Sequence, residues 1–335
     1  MKKVLIDKNL KQYKANLYCH STNSDGKLSP AQLKEAYMQR GYSVIAFTDH
    51  EHIIDNSALC DKDFVAITGC ELSIKEFPKL STLKSTAMKV AHLNLYAKDP
   101  HNNDTPFYSS VADHFGNERI KDLIFYTCED KERVYGKDGI NEIIDTCNKK
   151  GFLVCYNHPV WSLENARDYL NYKNLWAVEI YNHGAYQSGL CEYSPNIIDD
   201  FAREGQNLCP LANDDNHNYK ALDHNLSDSF GGFNYIVAKD LTYDSIIEAM
   251  ENRNIYASLG PQILSLVIED GVAKIEYKDG VQATVNTCGR RAKRVFSDSH
   301  AEFEVLESDK YLRFTVTDKC GKSALTPAYF VKDFL

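Results

Sequence analysis

The sequence lacks any run of about 18 apolar residues, so a transmembrane helix is excluded. It also lacks an apolar leader: Met1-Lys2-Lys3-Val4-Leu5-Ile6-Asp7 meets charge at once, and no export signal is expected. There is no Cys-x-x-Cys pair. The 10 cysteines are scattered, mostly inside apolar segments, which argues against a zinc ribbon or disulfide framework and for reduced thiols in the cytoplasm. No basic excess is present. Lys and Arg number 38 against 47 Asp and Glu, a net charge of −9, which disfavours a membrane-surface binder and makes a nucleic-acid partner unexpected. Repeats and low-complexity tracts are absent too. At 43% hydrophobic and 25% charged, the chain has the composition of a folded globular protein, and disorder of its bulk is not expected.

What is present, from residue 14 to about 258, is alternation. An apolar-leaning strand, Ala15–Tyr18, stops at His20, and a polar loop closes with Asp25-Gly26. Ser29, Pro30 and Gln32 then form an N-cap, a first-turn proline and a capping box ahead of helix-spaced Leu33, Ala36 and Tyr37. Further strands are read at 42–47, 64–67, 91–97, 152–156, 175–180, 208–212 and 233–238. Helices are expected from Asp138 to Gly151, from Ser194 to Gly205, and over 242–252. Residues 73–90 read as a polar excursion and 98–135 as an insertion or lid. This order predicts an α/β fold with a parallel sheet, and about seven units suggest a barrel. After Gly260-Pro261 the runs become short and alternating, with turns at Asp270-Gly271 and Asp279-Gly280. Two units are therefore expected: a barrel over 1–260 and a small antiparallel β module, sandwich-like, over 261–335. Three roles are open to the module: self-association, covering the site, or binding another partner.

The potential metal ligands are not scattered on this map. His20 and Asp25 follow the first strand, Asp49-His50 follows Phe47, and Glu71 follows the strand ending near Ile67. His92 opens the strand at 91, His158 follows the strand at 152, and Asp215 with His217 follows the strand at 208. In a parallel barrel the strand C-termini open on one face, so these eight donors from six segments would converge there. Imidazoles and carboxylates together suit zinc, manganese or iron, and so many buried carboxylates demand cations. Any one histidine is more often structural: His101, His114, His224 and His300 stay in that class, and His52 and His183 are intermediate. The joint recurrence at strand ends is what points to a metal site.

Taken as a set, the segments resemble the PHP (polymerase and histidinol phosphatase) family of metal-dependent phosphoesterases. The carrying motifs are Tyr18-Cys19-His20 with Ser24-Asp25-Gly26, then Thr48-Asp49-His50, Gly69-Cys70-Glu71, His92, His158-Pro159 and Asp215-Asn216-His217. The resemblance implies a distorted (β/α)7 TIM-like barrel holding two or three divalent ions (zinc, manganese or iron). It implies hydrolysis of a small phosphorylated metabolite or nucleotide by metal-activated water. Glu71 would bridge two ions with His92 and His158 on one. Asp25, His50 and His217 would hold another, and His20, Glu71 and Asp215 a further one. Tyr18 departs from the family's first histidine. It is taken as a substrate-facing position, with ligation as a phenolate or loss of turnover as alternatives. Asp49 and Asn157, next to implied ligands, are read as either orienting them or making local turn hydrogen bonds; Arg119, Arg133 and Arg167 lie in or after the variable loops but, like most surface arginines, are not assigned to phosphate.

Overall fold

The computed structural model describes residues 2–77, 88–112 and 123–334. His114 and Arg119, and parts of the expected excursion at 73–90 and insertion at 98–135, lie outside the described residues.

The strands that matter for the site are β1 (Lys2–Ile6), β2 (Lys11–Cys19), β3 (Val44–Phe47), β4 (Val65–Lys75), β5 (Val90–Ala97), β6 (Phe152–Tyr156), β7 (Ala177–Asn182), β8 (Cys209–Asn213) and β9 (Phe233–Ala238). Helix α1 (Pro30–Met38) follows β2, and its start is the expected capping box. Gln32 N donates to Ser29 Oγ at 3.3 Å and Ser29 N donates to Gln32 Oε1 at 2.9 Å, worth about 1 kcal/mol. Helix α2 (Lys137–Lys149) turns Ile140, Ile143, Ile144 and Cys147 inward, where they meet Leu72, Leu93 and Val154. Replacing Ile144 by Ala would cost about 2–5 kcal/mol. The other face of the sheet contributes to a second apolar cluster fed by every strand from β2 to β9, including Leu17, Ala46, Ile67, Tyr96, Cys155 and Leu211.

The sheet departs from the expected parallel barrel in two ways. First, β5 runs antiparallel to both neighbours, with Ser73 opposite His92 and Leu93 opposite Tyr156. Apolar patterning carries no strand direction, so the inversion is invisible in the sequence. Inversion brings the start of β5, and with it His92, to the edge where β4 and β6 end. Second, the sheet does not close. Strand β9 pairs antiparallel with β2 over Lys11–Ala15 and so occupies the edge that β8 would need. Only the end of β2 is left for β8: Asp215 N donates to Tyr18 O at 3.0 Å, His20 N donates to Asn216 O at 3.1 Å, and Cys19 and Asn216 form an isolated parallel bridge. The architecture is a large mixed sheet with helices.

The path continues past β9 through β10 (Ile255–Ser258) into the C-terminal strands. These are β11 (Gln262–Glu269), β12 (Val272–Lys278), β13 (Gln282–Thr287), β14 (Ala292–Phe296), β15 (His300–Glu304), β16 (Tyr311–Thr317), β17 (Ser323–Leu325) and β18 (Tyr329–Phe330). Strands β14-β13-β16-β17 belong to the large sheet. Strands β1-β11-β12-β15 form a separate antiparallel one, and Leu266, Ile275, Phe303, Val285 and Phe314 pack between the two. The pairing of Lys2 with Glu269 draws the first strand into this unit. No helix among the described residues is long and apolar enough to cross a membrane.

Candidate metal centre

All eight sequence-predicted donors meet at one end of β2–β8. Ligand atoms of His20, Asp25, His50 and His217 lie within 4.8 Å of one another, and those of Glu71, His92 and His158 form a second such group. Glu71 joins them: its Oε2 is 2.8 Å from His50 Nδ1 and 3.4 Å from His20 Nε2, and its Oε1 is 3.8 Å from His158 Nε2 and in contact with His92 Nδ1. Asp215 Oδ1 lies 3.0 Å from His20 Nε2. His20 thus faces two ways: its Nε2 meets Glu71 and Asp215, and its ring also groups with Asp25, His50 and His217.

Local structure explains each position. Gly26 lets the loop double back on β2, because a Cβ there would stand 2.5 Å from the His20 carbonyl oxygen. Asp49 accepts from Ser21 N (2.8 Å), Ser21 Oγ (2.8 Å) and Ser24 Oγ (2.7 Å), so it braces the loop that delivers Asp25. His158 and Asp215 both have left-handed backbones, φ 25° and 52°. Such conformations cost about 1–3 kcal/mol each and persist only where neighbours fix them. Glu179 Oε2 accepts from His158 N at 2.9 Å, and Tyr18 O accepts from Asp215 N. Asp214, next in line, is buried and receives Tyr37 Oη (2.7 Å) and the amides of Phe230, Gly231 and Gly232.

The electrostatics are those of crowded, dry charge. Burial pushes the His20 imidazole well below its usual range, and His217 and His50 add to the push. Burial acts the same way on His50, but Glu71, Asp25 and Asp215 carry it up to about 9. Burial, against the pull of His217 and with the Glu71 charge, raises Asp215 to about 7. His20 Nδ1 is buried without a hydrogen bond. A buried donor set of imidazoles and carboxylates with an orphaned ring nitrogen fits a divalent cation.

Tyr18, only 1% exposed, donates its phenol proton to Glu71 Oε1, and its oxygen is 3.2 Å from His158 Nε2. Burial, with Asp215 and Glu71 beside it, lifts its pKa well above the ordinary phenol value, so it stays a donor. Asn157 is buried, its amide side chain makes no hydrogen bond, and only its N–H is engaged, donating to His92 O at 3.1 Å. Arg133 is buried and committed to Glu51 and to the Phe107 carbonyl, so it does not grip a phosphate. The Arg167 N–H donates to Asn165 Oδ1 at 3.0 Å, the side-chain cap of a short helix. His183 pairs with Tyr181 Oη at 2.7 Å and His101 with Asp55 at 3.0 Å, outside both groups.

Sequence reasoning missed the carboxylate beneath the donors. Glu179 lies within β7, accepts from Asn182 and Asn213, and is raised by burial, against His158, to about 8. Asn182 in turn donates to Asp215 Oδ2 at 3.1 Å. The available signal was a lone carboxylate inside an otherwise apolar run, Trp176-Ala177-Val178-Glu179-Ile180.

No family model matches the chain. A stretch of 64 residues is 42% identical to the 5'-3' exoribonuclease of Haemophilus influenzae, spanning 18% of this chain and 23% of that protein's length. Among solved structures, the chain is similar to a two-domain protein from Bacteroides vulgatus containing a predicted PHP-like metal-dependent phosphoesterase. Identity is 14%, coverage 93% of this chain and 92% of that one, and the TM-score 0.45. It is also similar to the lesion-specific endonuclease PfuEndoQ from Pyrococcus furiosus, at 14% identity, with 72% and 56% coverage and a TM-score of 0.39.

Proposed function

We propose that the protein is a metal-dependent phosphoesterase of the PHP type, acting in the cytoplasm on a small phosphorylated metabolite or nucleotide. One observation carries the reading: imidazole and carboxylate donors from His20 to His217 reach a common site at one end of the sheet. The partial match to an exoribonuclease, an enzyme that cleaves phosphate esters, is in keeping with it. On this reading the open sheet from β2 to β8 presents its donors at one edge as a distorted barrel would, and 261–335 is a second domain.

His20, Asp25, His50 and His217 would hold one divalent ion, and Glu71, His92 and His158 a second; zinc, manganese and iron all suit the donors. Bound there, such ions supply Lewis-acid charge for phosphate oxygens and an acidified water as nucleophile. The chain's own residues do the rest. Tyr18 holds the Glu71 carboxylate in place by its hydrogen bond. Asp49 fixes the loop that presents Asp25, and Glu179 fixes the backbone turn that presents His158. Asp25, Asp215 and His217 line an open cleft of about 410 Å³, which admits the ester.

Purified protein supplied with manganese or zinc should release phosphate from a simple aryl phosphate and stop when a chelator is added. Failure on a broad panel of esters, by protein that still carries ions, would replace this reading with a second one: a related fold that binds metal or anion without turnover. Tyr18 favours that alternative, because a neutral phenol stands among the donors where an imidazole would ligate better.

A further inference from the structure

A cavity of about 740 Å³ lies between the donor-bearing sheet and the C-terminal strands, and it shares no lining residue with the donor cleft. One wall is the end of the helix Ile197–Arg203, with Gly205 just past it. That helix end precedes β8, whereas Asp215 and His217 follow β8, so the cavity wall and the donors flank opposite ends of one strand. The other wall comes from the turn Glu307–Asp309 and the chain around β18, which contribute Glu307, Lys310, Phe330, Val331 and Lys332.

The two walls are locked together. Asp199, on the helix, accepts from Arg313 Nε at 3.1 Å, Arg313 Nη2 at 2.6 Å and Tyr311 Oη at 3.0 Å, and all three side chains are buried. Asp309, also buried, accepts from Arg291 Nη1 at 2.6 Å and Leu306 N at 2.9 Å, and its carbonyl accepts from Cys288 N at 3.1 Å. Buried carboxylates with every bond made hold their surroundings rigidly, so the cavity is formed before anything enters it. Two features give it a charge preference. In a chain of net charge −9, Arg203, Lys310 and Lys332 line this one cavity against a single carboxylate, Glu307. Arg203 meets Asp200 at 3.3 Å, but neither lysine forms an ion pair among the described residues, and Lys332 Nζ sits only over the Phe330 ring, 5.6 Å from its centroid. Lys310 also has φ 59° and ψ −42°, a left-handed backbone that is strained for a residue with a Cβ and easy for glycine. A lysine held in a glycine's conformation, with its ammonium unpaired beside a cavity, is a candidate for a binding role.

We propose that this cavity is a second binding site, for a small organic anion. Its anionic group is met by Lys310, Lys332 and Arg203, and its apolar body lies on Phe330 and Val331. The volume is that of a pocket for a small molecule. A bare inorganic anion would leave the apolar lining unused, and a neutral apolar molecule would leave both ammonium groups unpaired. The inference does not depend on the phosphoesterase reading: none of the metal donors lines this cavity, so the ligand is held there and not hydrolysed.

The test uses full-length protein and the fluorescent aromatic anion 8-anilinonaphthalene-1-sulfonate, with adenosine monophosphate, 1-naphthoate, inorganic phosphate and adenosine as competitors. Adenosine monophosphate or 1-naphthoate should displace the dye, and the stronger of the two identifies the anionic group as phosphate or carboxylate. Inorganic phosphate and adenosine should displace it poorly, and added salt should weaken binding. In the double variant Lys310→Glu with Lys332→Glu, loss of charge-assisted contacts should raise the dye Kd at least about 10-fold. Lys310→Gly separates binding from architecture: it should raise Tm by relieving the backbone, yet weaken dye binding about 10-fold. Dye binding unchanged in either variant, or displacement by adenosine as strong as by the anions, would overturn the proposal. Phosphate release from an aryl phosphate should be the same in wild type and both variants. A protein that releases no phosphate would sink the phosphoesterase reading alone, because the dye measurements decide this site separately.

Discussion

The two donor groups use the same kinds of side chain and share an edge of one sheet, yet one opens to the cleft through two of its four members and the other is shut. Asp25 and His217 keep 20% and 22% of their side-chain surface, whereas Glu71 keeps none, His92 9% and His158 3%. The difference follows from how the donors are delivered. Loops after β2 and β8 carry Asp25 and His217 into the cleft. Glu71 and His92 sit inside β4 and β5, and His158 stands just past β6. An ion bound in the open group would meet the cleft on one side and exchange the more readily; one in the shut group would be enclosed by strands and leave more slowly.

The strongest way to break that contrast is Glu71→Gln, because this carboxylate touches both groups. Both ions should be lost by elemental analysis, and phosphate release should fall at least about 10²-fold. Retention of one ion would make the groups independent. A milder challenge is dialysis against a weak chelator. The open group should empty first, so ions per chain fall in two steps, and His217→Ala should abolish only the first step. A single step would erase the distinction.

Tyr18→Phe probes the lock on the shut group. Removing the phenol donor leaves buried Glu71 short of a hydrogen bond and should lower stability by about 1–3 kcal/mol, read as a shifted urea midpoint. An unchanged midpoint would mean that the phenol does not hold the carboxylate. The smallest effect belongs to a carboxylate outside both groups. Asp104 accepts from Lys150 Nζ and Thr127 Oγ1 at 2.6 Å each, and these bonds with the Lys150 charge hold its pKa below the ordinary value against a partial burial that would raise it. Its stabilising contribution is present above the unfolded carboxylate pKa of about 3.9 and is lost as pH falls through the lower folded value. The Tm difference between wild type and Asp104→Asn should therefore shrink toward zero in acid.

Why the sequence revealed the donors but not their setting has a physical basis. His20, His50, His158 and Asp215 each interrupt or follow an apolar run, and a polar residue at a strand end stands out against the pattern. Glu179, Asn182 and Asn213 do the holding from inside buried strands, where only partners distant in the chain make a polar group tolerable. The direction of β5 and the edge taken by β9 are properties of pairing, which patterning leaves open. Asp49 stands out from its position beside His50, but the side chains it holds, those of Ser21 and Ser24, come from another loop, and nothing in local spacing announces them.

The marriage of β1 to β11 sets an order on folding. Lys2–Ile6 is synthesised well before its partner strand, which ends at Glu269, so the pairing waits on the segment between them. The seam they close joins strands far apart in sequence, a kind of pairing that is slow to form. Whatever assembles earlier at the donor edge does so before this last stitch is drawn.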